Sequence, residues 1–176
     1  MSRVERTVVS DSTPLIHLAK TGKLNIIRDL FGKVFIPKGV YDEVVTRGKA
    51  LNISDSYIIE KQIGIWITRM AVTPEFDSRY SFLDSNTRLG SGEKEAIKLC
   101  EQLKAEYLIA DDREARRVSK MLNVKPLGTC ALIVQASRQG LIEKNEALQI
   151  LDDLTKAGFR IGAALYRRML DELRLL

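Results

Sequence analysis

Residues 7–14 read TVVSDSTP, and residues 107–113 read YLIADDR. In each stretch an apolar run typical of a buried strand is followed directly by aspartate: Asp11 in the first, Asp111 and Asp112 in the second. Parallel strands end at the same edge of a sheet, where open α/β folds place their ligand site. If these two strands are neighbours, several carboxylates meet there, and clustered carboxylates repel one another unless a cation or a proton joins them. A metal site is therefore the first hypothesis.

The composition is that of a folded domain with a mildly basic surface. The chain has 176 residues, 45% of them hydrophobic and 29% charged, which suits one domain with its own core and argues against disorder. The formal net charge of +5 favours an anionic partner such as nucleic acid. Cys100 and Cys130 show neither a metal-binding spacing nor a pairing pattern, so we expect two reduced thiols in a cytoplasmic protein.

No targeting or membrane segment is expected. Residues 1–6 are short and charged and lack the apolar centre of a signal peptide. No run of about 18 apolar residues occurs, so no membrane span is predicted.

Strand and helix signals alternate along the first 140 residues and predict a parallel sheet covered by helices on both faces. The predicted strands are residues 7–10, 34–36, 65–67, 107–110 and 124–127. The rest of the chain has helical patterns only, at residues 144–156 and 163–173.

Two local features of this pattern are less regular. Thr13 is expected to cap the first helix, with Pro14 at its first position. Residues 71–89 show little periodicity, and a connection of this length is uncommon. The segment is either a mobile loop over the site or contains a short helix.

Glutamates near two other helix starts are candidates to join the aspartates. Glu43 lies one helical step from Val40, at the edge of the apolar stripe formed by Val40 and Val44, although a solvated glutamate fits the same pattern. Glu93 and Glu95 both follow a glycine-rich helix start, and the pattern does not choose between them.

The aspartates leave alternatives open as well. Asp11 fits either a ligand or a simple turn residue. Of Asp111 and Asp112, one is expected to cap the helix that begins at Arg113 and the other to be available to a cation.

Taken together, these stretches resemble PIN-domain proteins. The resemblance rests on VSDSTPLI (9–16), FIP (35–37), YDEV (41–44), GEKEAI (92–97), LIADDREAR (108–116) and GT (128–129). Their order and spacing cover about residues 7–140. The DDREAR run and the tail AGFRI at residues 157–161 are similar, more narrowly, to a VapC-like prokaryotic subgroup.

The resemblance implies a three-layer α/β/α fold with a central parallel sheet. Residues 1–140 would form the catalytic domain, and residues 141–176 a helical C-terminal extension packed on it. The implied activity is that of an endoribonuclease that depends on Mg²⁺ or Mn²⁺. The family's acids correspond here to Asp11, Glu43, Glu93 (with Glu95 in reserve) and Asp112, with Asp111 as a further metal ligand.

One position departs from the family pattern. Ala110 stands where relatives usually carry threonine or serine two residues before the fourth acid. Ser12 or Thr13 is then the expected source of a hydroxyl at this corner.

The resemblance also implies partners. Single-stranded RNA is the expected substrate, with its phosphates near Lys94, Arg113, Arg116 and Arg117. An antitoxin protein and a second copy of the chain, forming a homodimer, are further expected partners. The alternative function is a non-catalytic PIN-like protein that binds nucleic acid. A receiver-type phosphoacceptor fits less well, because the first strand offers only Asp11.

Overall fold

The computed structural model describes residues 6–174. In this part of the chain five parallel strands form one central sheet. The strands are β1 Val8–Ser10, β2 Val34–Ile36, β3 Ile67–Arg69, β4 Tyr107–Ile109 and β5 Lys125–Leu127. Their order across the sheet is β3-β2-β1-β4-β5. Residues 1–5, from which no signal peptide is expected, lie outside the described residues.

The two strands that carry the acidic stretches are neighbours, as predicted. Val8 pairs with Tyr107, and Ser10 pairs with Ile109 in the parallel register of β1 and β4. The residue after each strand therefore lies at the same edge of the sheet. Both strands are almost completely buried, which is why they read as short apolar runs rather than as an alternating pattern.

Helices cover both faces of the sheet. They are α1 Ser12–Lys20, α2 Asn25–Phe31, α3 Lys38–Tyr41, α4 Gly48–Ala50, α5 Ser54–Glu60, α6 Pro74–Arg79, α7 Ser91–Leu103, α8 Arg113–Met121, α9 Thr129–Arg138, α10 Lys144–Lys156 and α11 Ala163–Arg174. Helices α1 and α2 pack against α9, which also carries α10 and α11. Helices α3, α6 and α8 pack against α7, which lies on β1 and β4. The three-layer α/β/α fold with a helical C-terminal tail is confirmed.

A π-helical segment, Asp42–Arg47, joins α3 to α4. It contains Glu43 and buries Val44 and Val45. Single π-helical turns are rare in proteins, and those that occur are often found at functional sites. Glu43 therefore projects from an unusual piece of helix rather than from a regular one.

Residues 71–89 contain a short helix, the second of the two expected alternatives. Helix α6 is followed by a 3₁₀ turn at Ser81–Ser85. Lys98 of α7 is only 3% exposed, and its ammonium group contacts Asp77 at 2.7 Å and Asp84 at 2.9 Å. One buried lysine thus fastens both pieces of the segment to the body of the protein.

Two boundaries differ from the prediction. Helix α1 begins at Ser12, so Asp11 rather than Thr13 occupies the N-cap position. Strand β3 begins at Ile67, two residues later than expected, because the N–H groups of Ile65, Trp66 and Ile67 all donate to the carbonyl of Gln62 in a tight turn.

Within residues 6–174 no helix has both the length and the apolar character that crossing a bilayer would require. Cys100 and Cys130 are buried free thiols.

Candidate active site

Asp11 is the most buried carboxylate of the candidate site. It follows β1 directly, and 2% of its surface is exposed. Its backbone N–H donates to the carbonyl oxygen of Ile109 at 2.9 Å, which ties it to the end of β4. The hydroxyl of Ser12 donates to Oδ1 at 3.5 Å. The side chain is therefore held at the carboxyl edge of the sheet with little hydrogen bonding to offset its burial.

The environment of Asp11 disfavours its negative charge. Burial raises the pKa of Asp11 to about 7, and the neighbouring charges of Glu93, Glu43 and Asp111 add to the rise. A hydrogen bond from the backbone of Ser12 opposes it. Near neutral pH this carboxylate is stabilised by whatever positive charge comes close, whether a proton or a metal cation.

Glu43 lies against the first turn of α7. A β-carbon added to Gly92 would be 3.5 Å from Oε2 of Glu43 and 3.5 Å from the side chain of Val40. The missing side chain at position 92 therefore lets the carboxylate of Glu43 approach the first turn of α7, while Glu43 itself is exposed, as the solvated alternative expected.

The two candidate glutamates of α7 have different roles. Oε2 of Glu93 accepts a hydrogen bond from the backbone N–H of Gly90 at 2.8 Å. Burial raises the pKa of Glu93, and the charges of Asp112 and Glu43 raise it further. Oε2 of Glu95 instead accepts from the backbone N–H of Gly39 at 2.8 Å, which links α7 to α3. Of the two, Glu93 is therefore the one that shares its electrostatic environment with the other acids.

The adjacent aspartates after β4 also divide their roles. Asp112 caps α8, because its Oδ1 accepts from the backbone N–H of Ala115 at 2.8 Å. Asp111 is held by Thr129: Oδ1 accepts from the backbone N–H at 2.8 Å and Oδ2 from the hydroxyl at 2.6 Å. Burial raises the pKa of Asp111, and these hydrogen bonds oppose the rise. Each aspartate is thus oriented by the start of a different helix.

Thr129 is the site residue whose role the sequence does not reveal. Its Gly-Thr pair belongs to the stretches that resemble the PIN family, but no role follows from the pattern. In the structure the Thr129 hydroxyl donates a hydrogen bond to Asp111. Ser12, one of the two residues expected to supply the hydroxyl that Ala110 lacks, donates to Asp11. The signal for Thr129 is its place two residues after the end of β5, the neighbour of β4.

These acids form one electrostatic cluster, although their side chains are not arranged as a metal site. Asp11 is influenced by Glu93, Glu43 and Asp111, and Glu93 in turn by Asp112. Across residues 6–174, however, no three His, Cys, Asp or Glu side chains are arranged so that they could hold a metal ion. The donors are all carboxylate oxygens, the type that Mg²⁺ and Mn²⁺ prefer. The residues fit such an ion by chemistry, and holding it would require some side chains to rotate toward it.

The four basic residues expected near RNA are not equally available. Lys94 donates to the carbonyl of Asp84 at 3.0 Å, and Arg117 pairs with Glu114 at 2.7 Å. Arg116 lies near Asp111, where its charge partly opposes the rise in the pKa of that carboxyl caused by burial, and its Nε is buried without a hydrogen-bond partner. Arg113 is exposed at the first position of α8.

His17 packs beside the cluster rather than joining it. Its ring meets Phe159 edge to face at a centroid distance of 4.8 Å. Burial lowers the pKa of His17, which favours the neutral ring. The contact attaches the segment before α11 to α1.

Comparison of the sequence with known proteins assigns the chain to a family. A search of curated proteins found no match to the chain. A family model described as a PIN domain matches residues 7–174, nearly the whole chain and the extent of the fold described above. Members of that family are generally nucleases, and the acidic edge of the sheet is in keeping with that chemistry. The chain therefore belongs to the PIN-domain family.

Proposed function

We propose that this protein is an endoribonuclease that requires Mg²⁺ or Mn²⁺ to hydrolyse phosphodiester bonds of RNA. The observation that carries the proposal is Asp11, a buried carboxylate with a pKa near 7 at the sheet edge where Glu43, Glu93 and Asp111 add negative charge. Such a cluster is costly unless a cation neutralises it, and divalent cations held by protein ligands are one means by which nucleases hydrolyse phosphodiesters.

The proposed metal ligands are Asp11, Glu43, Glu93, Asp111 and Asp112. Glu93 and Asp112 each use one oxygen in a hydrogen bond to a backbone N–H, which leaves the second oxygen for an ion. Asp111 uses both oxygens with Thr129, and each carboxylate oxygen has a second lone pair that is still available. When bound, the ion supplies Lewis-acid stabilisation at the phosphodiester.

The chain's own residues then have two tasks. Thr129 and the helix starts orient the carboxylates, as outer hydrogen bonds do in metal sites generally. Arg113 is exposed next to Asp112 and is the proposed contact for a backbone phosphate of single-stranded RNA.

RNA cleavage by the full-length protein tests the proposal. We expect wild type to cleave single-stranded RNA in Mg²⁺ or Mn²⁺ and not in a chelator, and Asp11→Asn to lose at least about a hundredfold in rate because it removes the central charge. The control is Asp29→Asn on α2, which leads into the amino end of β2 and so lies toward the opposite edge of the sheet. Equal cleavage by wild type and Asp11→Asn would exclude this mechanism.

A second function is favoured by one observation. Because no three described acids are arranged to hold a metal, a PIN-like protein that binds nucleic acid without cleaving it is the alternative. Metal-independent binding of RNA by both wild type and Asp11→Asn, with no cleavage by either, would favour it.

The finer biology is part of the same proposal. The similarity to the VapC-like subgroup supports a cytoplasmic toxin inhibited by an antitoxin. The same similarity supports a homodimer, in which a second copy of the chain is the protein partner. Light scattering tests the homodimer, and growth arrest on expression that depends on Asp11 tests toxicity.

A further inference from the structure

A cavity of about 200 Å³ opens beside Asp111, on the side away from Asp11's strand. Its walls come from the start of α9, from the segment before α11, and from α11 itself. Gly128 forms part of the floor: a β-carbon there would lie 3.1 Å from Oδ1 of Asp111 and 3.7 Å from the guanidinium of Arg116. The cavity therefore begins where the candidate active site ends.

Three positive and two negative side chains surround the cavity. Arg116, Arg160 and Arg168 line it, together with Asp111 and Glu172. Both carboxylates already have partners, since Asp111 bonds to Thr129 and Glu172 pairs with Arg138 at 3.2 Å.

Two of the arginines, in contrast, have no carboxylate partner among the described residues. Within residues 6–174 neither Arg160 nor Arg168 forms an ion pair, and the Nε of Arg116 is buried without a hydrogen-bond partner. Guanidinium groups that converge on a cavity without carboxylate partners favour a phosphate, which they bind through paired N–H donors.

The rest of the wall is apolar. Phe159, Leu165 and Met169 also line the cavity. Its volume is smaller than the roughly 300–1,000 Å³ of sites for drug-sized molecules, so the cavity suits a small group, such as one unit of a polymer. RNA presents this combination, a phosphate next to a flat base that packs on apolar and aromatic side chains.

We propose that this cavity is a nucleotide subsite for the RNA strand, in which Arg160 and Arg168 hold a phosphate and the apolar wall receives the attached base. The proposal deepens the proposed function, because it places one nucleotide of the substrate beside Asp111. It concerns binding, however, and does not depend on cleavage. It also gives the C-terminal helix a direct part in substrate recognition.

The test is RNA affinity in a chelator, measured by fluorescence anisotropy with a 3′-labelled single-stranded RNA. We expect Arg160→Gln and Arg168→Gln each to weaken binding about tenfold, the usual effect of losing one charge-assisted hydrogen bond. The matched control is Arg167→Gln, which removes the same charge from the same helix at a residue that is exposed and does not line the cavity. We expect it to change affinity less than twofold.

A second variant tests the cavity without changing any charge. Ala131 lines the cavity, and Ala131→Leu would fill part of it. We expect a loss of RNA affinity of at least fivefold while circular dichroism and the melting temperature show an intact fold. Equal affinities of Arg167→Gln and Arg168→Gln, or unchanged binding by Ala131→Leu, would overturn the proposal.

Two comparisons complete the experiment. RNA with a 5′-phosphate and RNA with a 5′-hydroxyl distinguish a terminal phosphate from an internal one: only a terminal phosphate makes affinity depend on that group. Cleavage in Mn²⁺ separates the two proposals. If RNA binding requires Arg168 but wild type does not cleave RNA, the subsite is supported and the nuclease is contradicted. If wild type cleaves RNA but Arg168→Gln binds it as tightly as Arg167→Gln does, only the subsite is contradicted.

Discussion

Asp11 shows how a single residue connects the stability of the fold with its chemistry. The side chain is buried at a strand end, where its charge is poorly solvated, and three other acids surround it. Between about pH 4 and pH 7, and in the absence of a cation, the folded protein therefore holds a proton on Asp11 that the unfolded chain would release. This difference makes the stability of the metal-free protein depend on pH.

The first prediction concerns that pH dependence. The pKa of Asp11 rises from 3.8 to about 7 on folding, so the free energy of unfolding should fall as pH rises between about 4 and 7. Asp11→Asn lacks this effect. In a chelator we expect the free energy of unfolding of the variant, relative to that of wild type, to rise by about 2–4 kcal/mol across that range, because one pKa unit corresponds to about 1.4 kcal/mol. Urea unfolding at pH 4.5 and pH 8 measures the gain, and an equal difference at both values would contradict the account.

A second prediction at this scale concerns Thr129. Thr129→Val removes the hydroxyl that donates to Oδ2 of Asp111 and keeps the shape of the side chain. We expect RNA cleavage in Mn²⁺ to fall about 10–100-fold, the usual effect of losing an outer hydrogen bond at a metal site. Thr129→Ser keeps the hydroxyl and should restore most of the rate. Equal rates for the two variants would show that the hydroxyl does not act through Asp111.

At the scale of elements, α7 shows how neighbouring residues of one helix divide their work. Glu93 faces the acids and Glu95 binds the backbone of α3. The sequence places Glu93 in the first turn of the helix and Glu95 in the next. Which of the two lies near the other acids depends on where α3 packs. That contact joins residues 56 positions apart, so local pattern does not reveal it.

The third prediction uses this pair as matched variants. Glu93→Gln and Glu95→Gln each remove one charge and keep a hydrogen-bond acceptor. We expect Glu93→Gln to reduce RNA cleavage by at least tenfold and Glu95→Gln to leave it within about twofold, because only Glu93 is a proposed ligand. The rates in Mn²⁺ and the melting temperatures of both variants measure this. A larger loss of rate for Glu95→Gln would reverse the assignment.

The segment between β3 and α7 shows a second limit of local pattern. Its polar residues favour a loop, yet the segment contains α6 and a 3₁₀ turn. The buried Lys98 of α7 pairs with Asp77 of α6 and Asp84 of the 3₁₀ turn and so stabilises both. A lysine between two apolar residues of a buried helix face signals a partner of opposite charge. The sequence contains that signal, but several acids could answer it.

At the scale of the whole molecule, the fold could be predicted because buried parallel strands and capped helices alternate at regular spacing. The neighbouring positions of β1 and β4 confirm the inference that brought Asp11 and Asp111 to one edge. A packed helical tail is expected, but the sequence does not reveal its contacts: α11 packs on α9, and the segment before α11 contacts His17 of α1 through Phe159. The boundary at residue 140 stays a prediction, while the family match extends to residue 174.

The central claim is that the acids around Asp11 hold a divalent cation, and titration of the full-length protein with Mn²⁺ by calorimetry at pH 8 tests it most directly. We expect wild type and Asp29→Asn to bind Mn²⁺ with the same affinity, and Asp11→Asn to bind at least about tenfold more weakly because it removes the ligand with the strongest need for a cation. Equal affinity of Asp11→Asn and wild type, or no binding by wild type, would contradict the account.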